Sequence, residues 1–402
     1  MRICFYAGYR DLKGGFTTLL LTLIRELTAM GQEVVLINFA KGLIADELKK
    51  SNTPINLVDM DTVPWKDMDQ HIFNTDVIVA VKFVEPYRHF LKINPRVVYY
   101  DINDYICNIS DYKYGIKYPG LGKKLIQQLL SKKGLVFMDD TGMYNLQQYF
   151  SIRVADPVFL PIPVNAISEN LYLKKICTAV DTVHFTYVGR SVDWKMMPLK
   201  KILDDCAHSD CAVNIQFTIV VDSIKSMEQY ISLPDYLVYK HLHIELIENM
   251  LPSQIDDFLI QRADLHFAMG TAALDAAKMG IPTVLVDYSI KPFPDSYRYL
   301  WIFESKCFSL GRNLDKISHS GHISINRLIS EILDRSNRKN LSDNCYEYVQ
   351  QHHTVNTVAK ELIHACNNTS FRLRDAKSYV PFYFKAHGLV KSIARLFTKS
   401  VE

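Results

Sequence analysis

No part of the sequence approaches the roughly 18 to 20 uninterrupted apolar residues that a membrane-crossing helix needs, which argues against a spanning protein. Cysteine is sparse: the eight residues form no CxxC and no Cys/His cluster at zinc spacing, which disfavours a disulfide scaffold or a zinc module. Charge of one sign is also missing. Lys plus Arg number 46 against 43 Asp plus Glu, and a net charge of +3 over 402 residues provides no footprint for nucleic acid. The N-terminus lacks the basic, apolar and small-residue succession of an export signal, so a reducing cytoplasm is the expected compartment. There is no GxGxxG, no low-complexity tract and no visible internal repeat. What is present is 48% hydrophobic content, enough to bury one or two full cores, in a length that suggests two to three domains.

Apolar runs alternate with helical periodicity along the chain. Residues 2–8 read as a strand, 11–15 as a glycine-containing turn, and 16–30 as a helix with Leu19, Leu20, Leu23, Ile24 and Leu27 on one face. Gly31 ends that helix and 33–39 is the next strand, making a βαβ unit. Strands are expected near 55–58, 76–81, 96–100, 135–138 and 157–160. Pro161 and Pro163 then mark a linker, and a second series runs through strands 183–188, 214–221, 243–246, 265–268 and 283–286. Helices are expected at 198–206, 252–262, 272–279, 323–334 and 341–366. The expected division is an N-terminal domain of residues 1–165, a C-terminal domain of 181–366 and a C-terminal crossover and basic amphipathic tail of 367–402.

Two loops suit a ligand at a helix N-terminus, where backbone N–H groups point outward. The first is Asp11-Leu12-Lys13-Gly14-Gly15, whose glycines either admit a phosphate or sugar or simply make a tight turn. In the second, Met269-Gly270-Thr271-Ala272-Ala273-Leu274-Asp275, Gly270 leaves the strand and Thr271 is placed to cap the helix. Asp275 lies one turn inside, where a carboxylate can accept ribose hydroxyls.

The run Gly270 to Pro282, with its acidic residue and closing Gly280-Ile281-Pro282, resembles the donor-nucleotide segment of GT-B glycosyltransferases. Tyr187-Val188-Gly189-Arg190, followed by Lys195, is similar to the start of their C-terminal domain. Gly14-Gly15, the leucine-rich helix and Gly31-Gln32-Glu33-Val34 are similar to their first βαβ unit, especially in family 4. The resemblance spans roughly residues 1 to 366. It implies an α/β protein of two Rossmann-like domains facing across a cleft, a nucleotide-sugar donor on the C-terminal domain, a glycan or lipid-linked acceptor, and neither metal nor cofactor. Arg190 and Lys195 would neutralise the donor diphosphate, with Gly189 closing the strand before them. Gly270, Thr271 and Ala272 would face the diphosphate through the backbone, Asp275 would hold the ribose, and Gly14 and Gly15 would lie near the transferred sugar.

Family 4 enzymes commonly carry two glutamates separated by seven residues; here those positions are Phe267 and Asp275. An inverting reaction would need a general base, for which Asp11, Asp101 and Asp104 are candidates. Rival readings are a metal-dependent transferase using Asp59-Met60-Asp61, a sugar-nucleotide epimerase or hydrolase of the same architecture, and a non-catalytic two-domain sugar-binding protein. In the tail, Leu389, Ile393, Leu396 and Phe397 share a helical face opposite Lys391, Arg395 and Lys399. That pattern suits either an anionic membrane surface or a neighbouring protein face, and no nucleic acid. Peripheral attachment to the cytoplasmic face of the inner membrane, and assembly of a bacterial surface polysaccharide such as O-antigen or capsule, are the corresponding expectations.

Overall fold

A computed structural model describes residues 1–8, 15–64, 67–81, 93–102, 119–167, 182–210, 212–316 and 321–376. Asp11, Gly14, Asp104 and the tail beyond Ala376 lie outside the described residues. The chain forms two compact units, one of Met1–Pro163 together with the chain from Val355 onward, the other of Val164–Thr354.

The first unit runs β1 (Arg2–Tyr6), α1 (Gly15–Ala29), β2 (Glu33–Asn38), α2 (Leu43–Lys50), β3 (Asn56–Asp59), α3 (Met68–His71), β4 (Val77–Ala80), β5 (Arg96–Asp101), α4 (Pro119–Ser131), β6 (Leu135–Phe137) and α5 (Asp140–Phe150). All six strands are parallel, in the order β3-β2-β1-β4-β5-β6. Both faces are covered, which is why the strands read as continuous apolar runs instead of alternating ones. Ile3, Phe5, Leu36 and Val79 pack with Leu20, Leu23, Ile24 and Leu27 of α1 on one face. Cys4, Tyr6, Ile37 and Ile78 pack with Leu125, Ile126 and Leu129 of α4 on the other. Gly31, at φ +76, lets the chain reverse after α1 in a conformation that a side chain would strain. The expected strand at 157–160 is reduced to a single bridge between Phe137 and Phe159.

The second unit runs β7 (Thr182–Gly189), α6 (Asp193–Ala207), β8 (Asn214–Val221), α7 (Ile224–Met227), β9 (Leu242–Glu248), α8 (Pro252–Arg262), β10 (Leu265–Ala268), α9 (Thr271–Ala277), β11 (Thr283–Leu285), β12 (Leu300–Trp301), α10 (Ile325–Leu333) and α11 (Arg335–His352). The order is β12-β11-β10-β7-β8-β9, parallel except for the short edge strand β12. Its main core joins Phe185, Phe217 and Phe267 to Leu199 and Ile202 of α6 and to Leu328 and Ile329 of α10. The sequence pattern starts α6 at Pro198, but the helix starts at Asp193 and carries that proline inside it. The Trp194 carbonyl consequently has no helical donor opposite it.

The expected boundary at 366 is displaced. The single helix anticipated over 341–366 breaks at His353–Thr354 into α11 and α12 (Val355–Asn368), and α12 returns to the first unit. Val358, Ala359, Leu362 and Cys366 fill the core beneath α1. Arg96 Nη1 donates to the Cys366 carbonyl at 3.0 Å, and Val97 N–H donates to the Phe371 carbonyl at 2.9 Å. Lys132 pairs with Asp375 at 2.7 Å, so residues up to Ala376 are part of this unit and not of a separate tail.

Candidate functional site

Ligands of open α/β sheets gather beyond the carboxyl ends of the strands where strand order reverses. In the second unit that reversal lies between β10 and β7, which pair directly through Phe267 and Tyr187. β7 ends at Gly189 and delivers Arg190; β10 ends at Ala268 and delivers Gly270. Two sequence motifs 80 residues apart thus leave neighbouring strands at the one position where the topology opens a crevice.

The cationic side of this position is built by β7 and the first turn of α6. Arg190 is exposed, Lys195 is half-buried, and neither is paired with a carboxylate among the described residues. Burial, and then the nearby Arg190, push the Lys195 ammonium below the ordinary lysine range, against a weaker opposing pull from Asp222. Two cations held close, with no carboxylate in ion-pair contact among the described residues and only the longer-range pull of Asp222, form a site suited to an anion. The loop between them is latched. Asp222, beyond the end of β8, accepts the Ser191 N–H at 2.6 Å, and Ser191 Oγ donates to the Ser223 carbonyl at 2.7 Å. Burial alone would raise the Asp222 carboxyl, but the Ser191 hydrogen bonds and Arg190 outweigh it and hold it below the ordinary range. Lys195 Nζ lies 5.3 Å from the centroid of the Trp194 ring, and that ring meets Tyr288 edge-on at 5.5 Å.

The other side is the turn into α9. Gly270 has φ +62 and ψ −140, a conformation open to little besides glycine, although an added Cβ would meet nothing within 4 Å. Gly270 N–H does not face outward as expected: it donates to the Leu310 carbonyl at 2.7 Å. Among the described residues, the N–H groups of Thr271 and Ala272, the first two of this short helix, find no acceptor. Thr271 is exposed and makes no capping hydrogen bond, contrary to the capping role expected for it; Gly270 occupies that position. Ala273, Ala276 and Ala277 are fully buried and Thr271, Ala272 and Asp275 are not, so the helix turns its first residues and Asp275 away from the core. Asp275 Oδ1 accepts Lys278 Nζ at 2.9 Å, and Lys278 also reaches Asp256 at 3.2 Å. Asp275 Oδ2 has no partner among the described residues.

Several other expected positions have structural explanations. A Cβ on Gly189 would stand 2.7 Å from the Tyr187 ring, whose hydroxyl donates to the Lys195 carbonyl at 3.2 Å, so this glycine makes room for a buried tyrosine. Phe267 is fully buried against Phe185 and Phe217 and provides no acid. Asp59 accepts the N–H groups of Ala40 and Asp61 and the Thr62 hydroxyl, the pattern of a turn-forming carboxylate. Among the described residues no group of three or more His, Cys, Asp or Glu is arranged to hold a metal ion. In the first unit, Asp101 is the buried last residue of β5, and Gly15 is the exposed first residue of α1, with open space where a Cβ would project.

The latch of Asp222 on Ser191 and the Trp194–Tyr288 pair were not visible in the sequence. Each joins residues brought together only by strand order, and the Asp-Ser pair after β8 reads locally as a turn.

No family model matches the sequence, and no curated protein matches it. Solved structures do. The fold is similar to that of a glycosyltransferase from Rickettsia africae ESF-5, with 13% identity, 91% of this chain and 97% of that one covered, and a TM-score of 0.59. It is similar to Anabaena HepE in complex with UDP, at 12% identity, 91% and 100% coverage and a TM-score of 0.54. It is also similar to the apo form of the lipopolysaccharide outer core galactosyltransferase WaaB, at 12% identity, 91% and 99% coverage and a TM-score of 0.52. The chain therefore has the two-domain, Rossmann-like α/β fold known as GT-B.

Proposed function

We propose that the protein is a glycosyltransferase that binds a nucleotide-sugar donor on its second unit and transfers the sugar to a glycan or lipid-linked acceptor. The observation that carries this reading is the pair Arg190 and Lys195, two cations in no ion-pair contact with a carboxylate among the described residues, at the β7/β10 reversal next to the turn that leads to Asp275. A departing nucleoside diphosphate gains negative charge as the glycosidic bond breaks, and fixed cations stabilise that charge without reorganisation. The N–H groups of Thr271 and Ala272 add donors for the same phosphates, and Asp275 Oδ2 accepts from the ribose while Lys278 holds Oδ1. UDP in a structure of the same fold is consistent with this assignment.

On this reading Gly15 leaves room for the sugar or its phosphate, Asp11, Asp101 or Asp104 supplies a base if the reaction inverts, and donor binding needs no divalent metal. Synthesis of a bacterial surface polysaccharide is the process we favour, supported by the shared fold of a lipopolysaccharide galactosyltransferase. Among the described residues no helix is long and apolar enough to cross a membrane. Membrane contact is therefore proposed through the basic, amphipathic segment 388–402, and deleting it should shift the protein from anionic vesicles to the soluble fraction in flotation. The test of the activity is a thermal-shift screen of nucleotide sugars followed by a transfer assay on lipid-linked acceptors, with and without EDTA. Stabilisation by one donor and transfer that survives EDTA support the proposal. Hydrolysis or epimerisation of that donor, with no transfer to any acceptor, would replace it with the epimerase or hydrolase reading.

A further inference from the structure

The second unit carries a pocket that the donor site leaves without a role. It lies at the β11–β12 edge, and its lining includes Asp287, Arg298, Lys306, Ser309 and Arg312, three cations against one carboxylate. Lys306 is exposed, and its ammonium has no ion-pair partner among the described residues. Asp287 Oδ1 accepts the Arg312 N–H at 2.8 Å, so the carboxylate helps to tie down the loop that forms the wall. Ser309 is 3% exposed, and its Oγ has no hydrogen-bond partner among the described residues. A buried hydroxyl without a partner is uncommon in a folded protein and requires a reason.

The loop that presents Ser309 is held tightly. Cys307 and Phe308 adopt φ values of 51 and 62, and Gly311 adopts 117. A Cβ on Gly311 would stand 2.7 Å from the Val286 carbonyl oxygen. Ser305 Oγ donates to the Ser309 carbonyl at 2.5 Å, and the Leu310 carbonyl accepts the Gly270 N–H at 2.7 Å. Consecutive left-handed residues other than glycine persist only where the surroundings fix them. The unsatisfied hydroxyl is thus part of an ordered wall.

We propose that this pocket binds a phosphate group, with Lys306, Arg298 and Arg312 supplying charge and Ser309 Oγ donating a hydrogen bond to a phosphate oxygen. The ligand is of the phosphate class because a tetrahedral oxyanion takes charge and several donors from different directions at once. None of the pocket's lining residues is Arg190 or Lys195, although its loop joins the donor side through the Leu310 carbonyl that accepts the Gly270 N–H.

The full-length protein is titrated with inorganic phosphate and followed by thermal shift and by phosphorus NMR. The same titration is made on Arg190→Ala with Lys195→Ala, on Lys306→Ala and on Ser309→Ala, each of the last two alone and added to the first, and vesicles containing phosphatidic acid form a second arm. Phosphate is expected still to stabilise the Arg190→Ala, Lys195→Ala variant, which has lost the donor cations, and added to that variant Lys306→Ala should weaken the remaining response about tenfold and Ser309→Ala should remove it. Ser309→Ala alone should be at least as stable as wild type in phosphate-free buffer, because it deletes an unsatisfied hydroxyl; a merely structural serine would leave a less stable protein. A phosphate response of the Arg190→Ala, Lys195→Ala variant that Ser309→Ala removes assigns a soluble ligand. Vesicle binding that Ser309→Ala removes, without that phosphate response, assigns a lipid headgroup. A response in neither arm, or one lost with Arg190 and Lys195 but kept in Lys306→Ala and Ser309→Ala, overturns the site.

Discussion

Replacing Asp275 by alanine separates what its carboxylate does for the fold from what it does for a ligand. Lys278 is only 10% exposed in its side chain and is shared between Asp275 at 2.9 Å and Asp256 at 3.2 Å, so it keeps one counter-ion in the variant. The Asp275 side chain is 38% exposed, and solvent screening limits the pair to about 1 kcal/mol or less. For units of this size that is a fall in Tm of roughly 2–4 °C. Hydrogen bonds from ribose hydroxyls to a charged acceptor are worth roughly 1.5–3 kcal/mol, so Kd for the nucleotide should rise about 10- to 150-fold. Asp275→Asn, which keeps an oxygen for Lys278, should retain the stability and lose part of the affinity. Titration calorimetry with the nucleotide, paired with scanning calorimetry of the free protein, measures both quantities. A folded alanine variant with wild-type nucleotide affinity would refute the ribose assignment, and a stability loss of several kcal/mol would refute the claim that Asp256 suffices for Lys278.

Other outcomes follow from the same geometry. Only protonated Lys195 attracts a diphosphate, and its pKa lies below the ordinary lysine range, so nucleotide affinity should fall with rising pH before an ordinary lysine titrates, near 10.4; Lys195→Arg should make the profile flat. His266 is fully buried with Nδ1 2.9 Å from Thr186 Oγ1, and burial pushes it down to about 3. Between that value and the unfolded histidine range near 6.5 the unfolded chain binds the extra proton, so stability should fall by up to a few kcal/mol as pH drops through this window and stay level above it. Urea unfolding of wild type and His266→Gln at a series of pH values tests this through the difference in slope. Gly270→Ala should cost about 1–3 kcal/mol because of its backbone conformation. Gly15→Ala, with nothing within 4 Å of its Cβ and no positive φ, should leave stability unchanged. Loss of transfer in a stable Gly15→Ala or Gly15→Val enzyme would mark this turn as a place where a ligand approaches, whereas wild-type kinetics would reduce it to a turn.

The β/α succession was legible because parallel strands buried on both faces read as short apolar runs, and because α1 carries its leucines on one stripe. Arg190, Lys195, Gly270 and Asp275 were legible as local motifs, yet the chemistry of three neighbouring positions was not. Gly189 is explained by the Tyr187 ring from its own strand, Thr271 falls one residue inside the helix that it was expected to cap, and the Gly270 N–H is taken by Leu310 from a distant loop. Helix α6 was misplaced because a proline normally opens a helix, and here it sits within one. The return of α12 to the first unit was hidden for a different reason: Val358, Leu362 and Cys366 form an apolar stripe that would serve either core, and only tertiary packing assigns it to α1.

The most direct test of the account is a calorimetric titration of nucleoside diphosphates, UDP first, in metal-free buffer, into the wild type and into Arg190→Ala with Lys195→Ala. Saturable binding to the wild type and at least tenfold weaker binding to an equally folded double variant is the expected result. Binding that is the same in both proteins, or absent for every base, would contradict a donor site at the β7/β10 reversal.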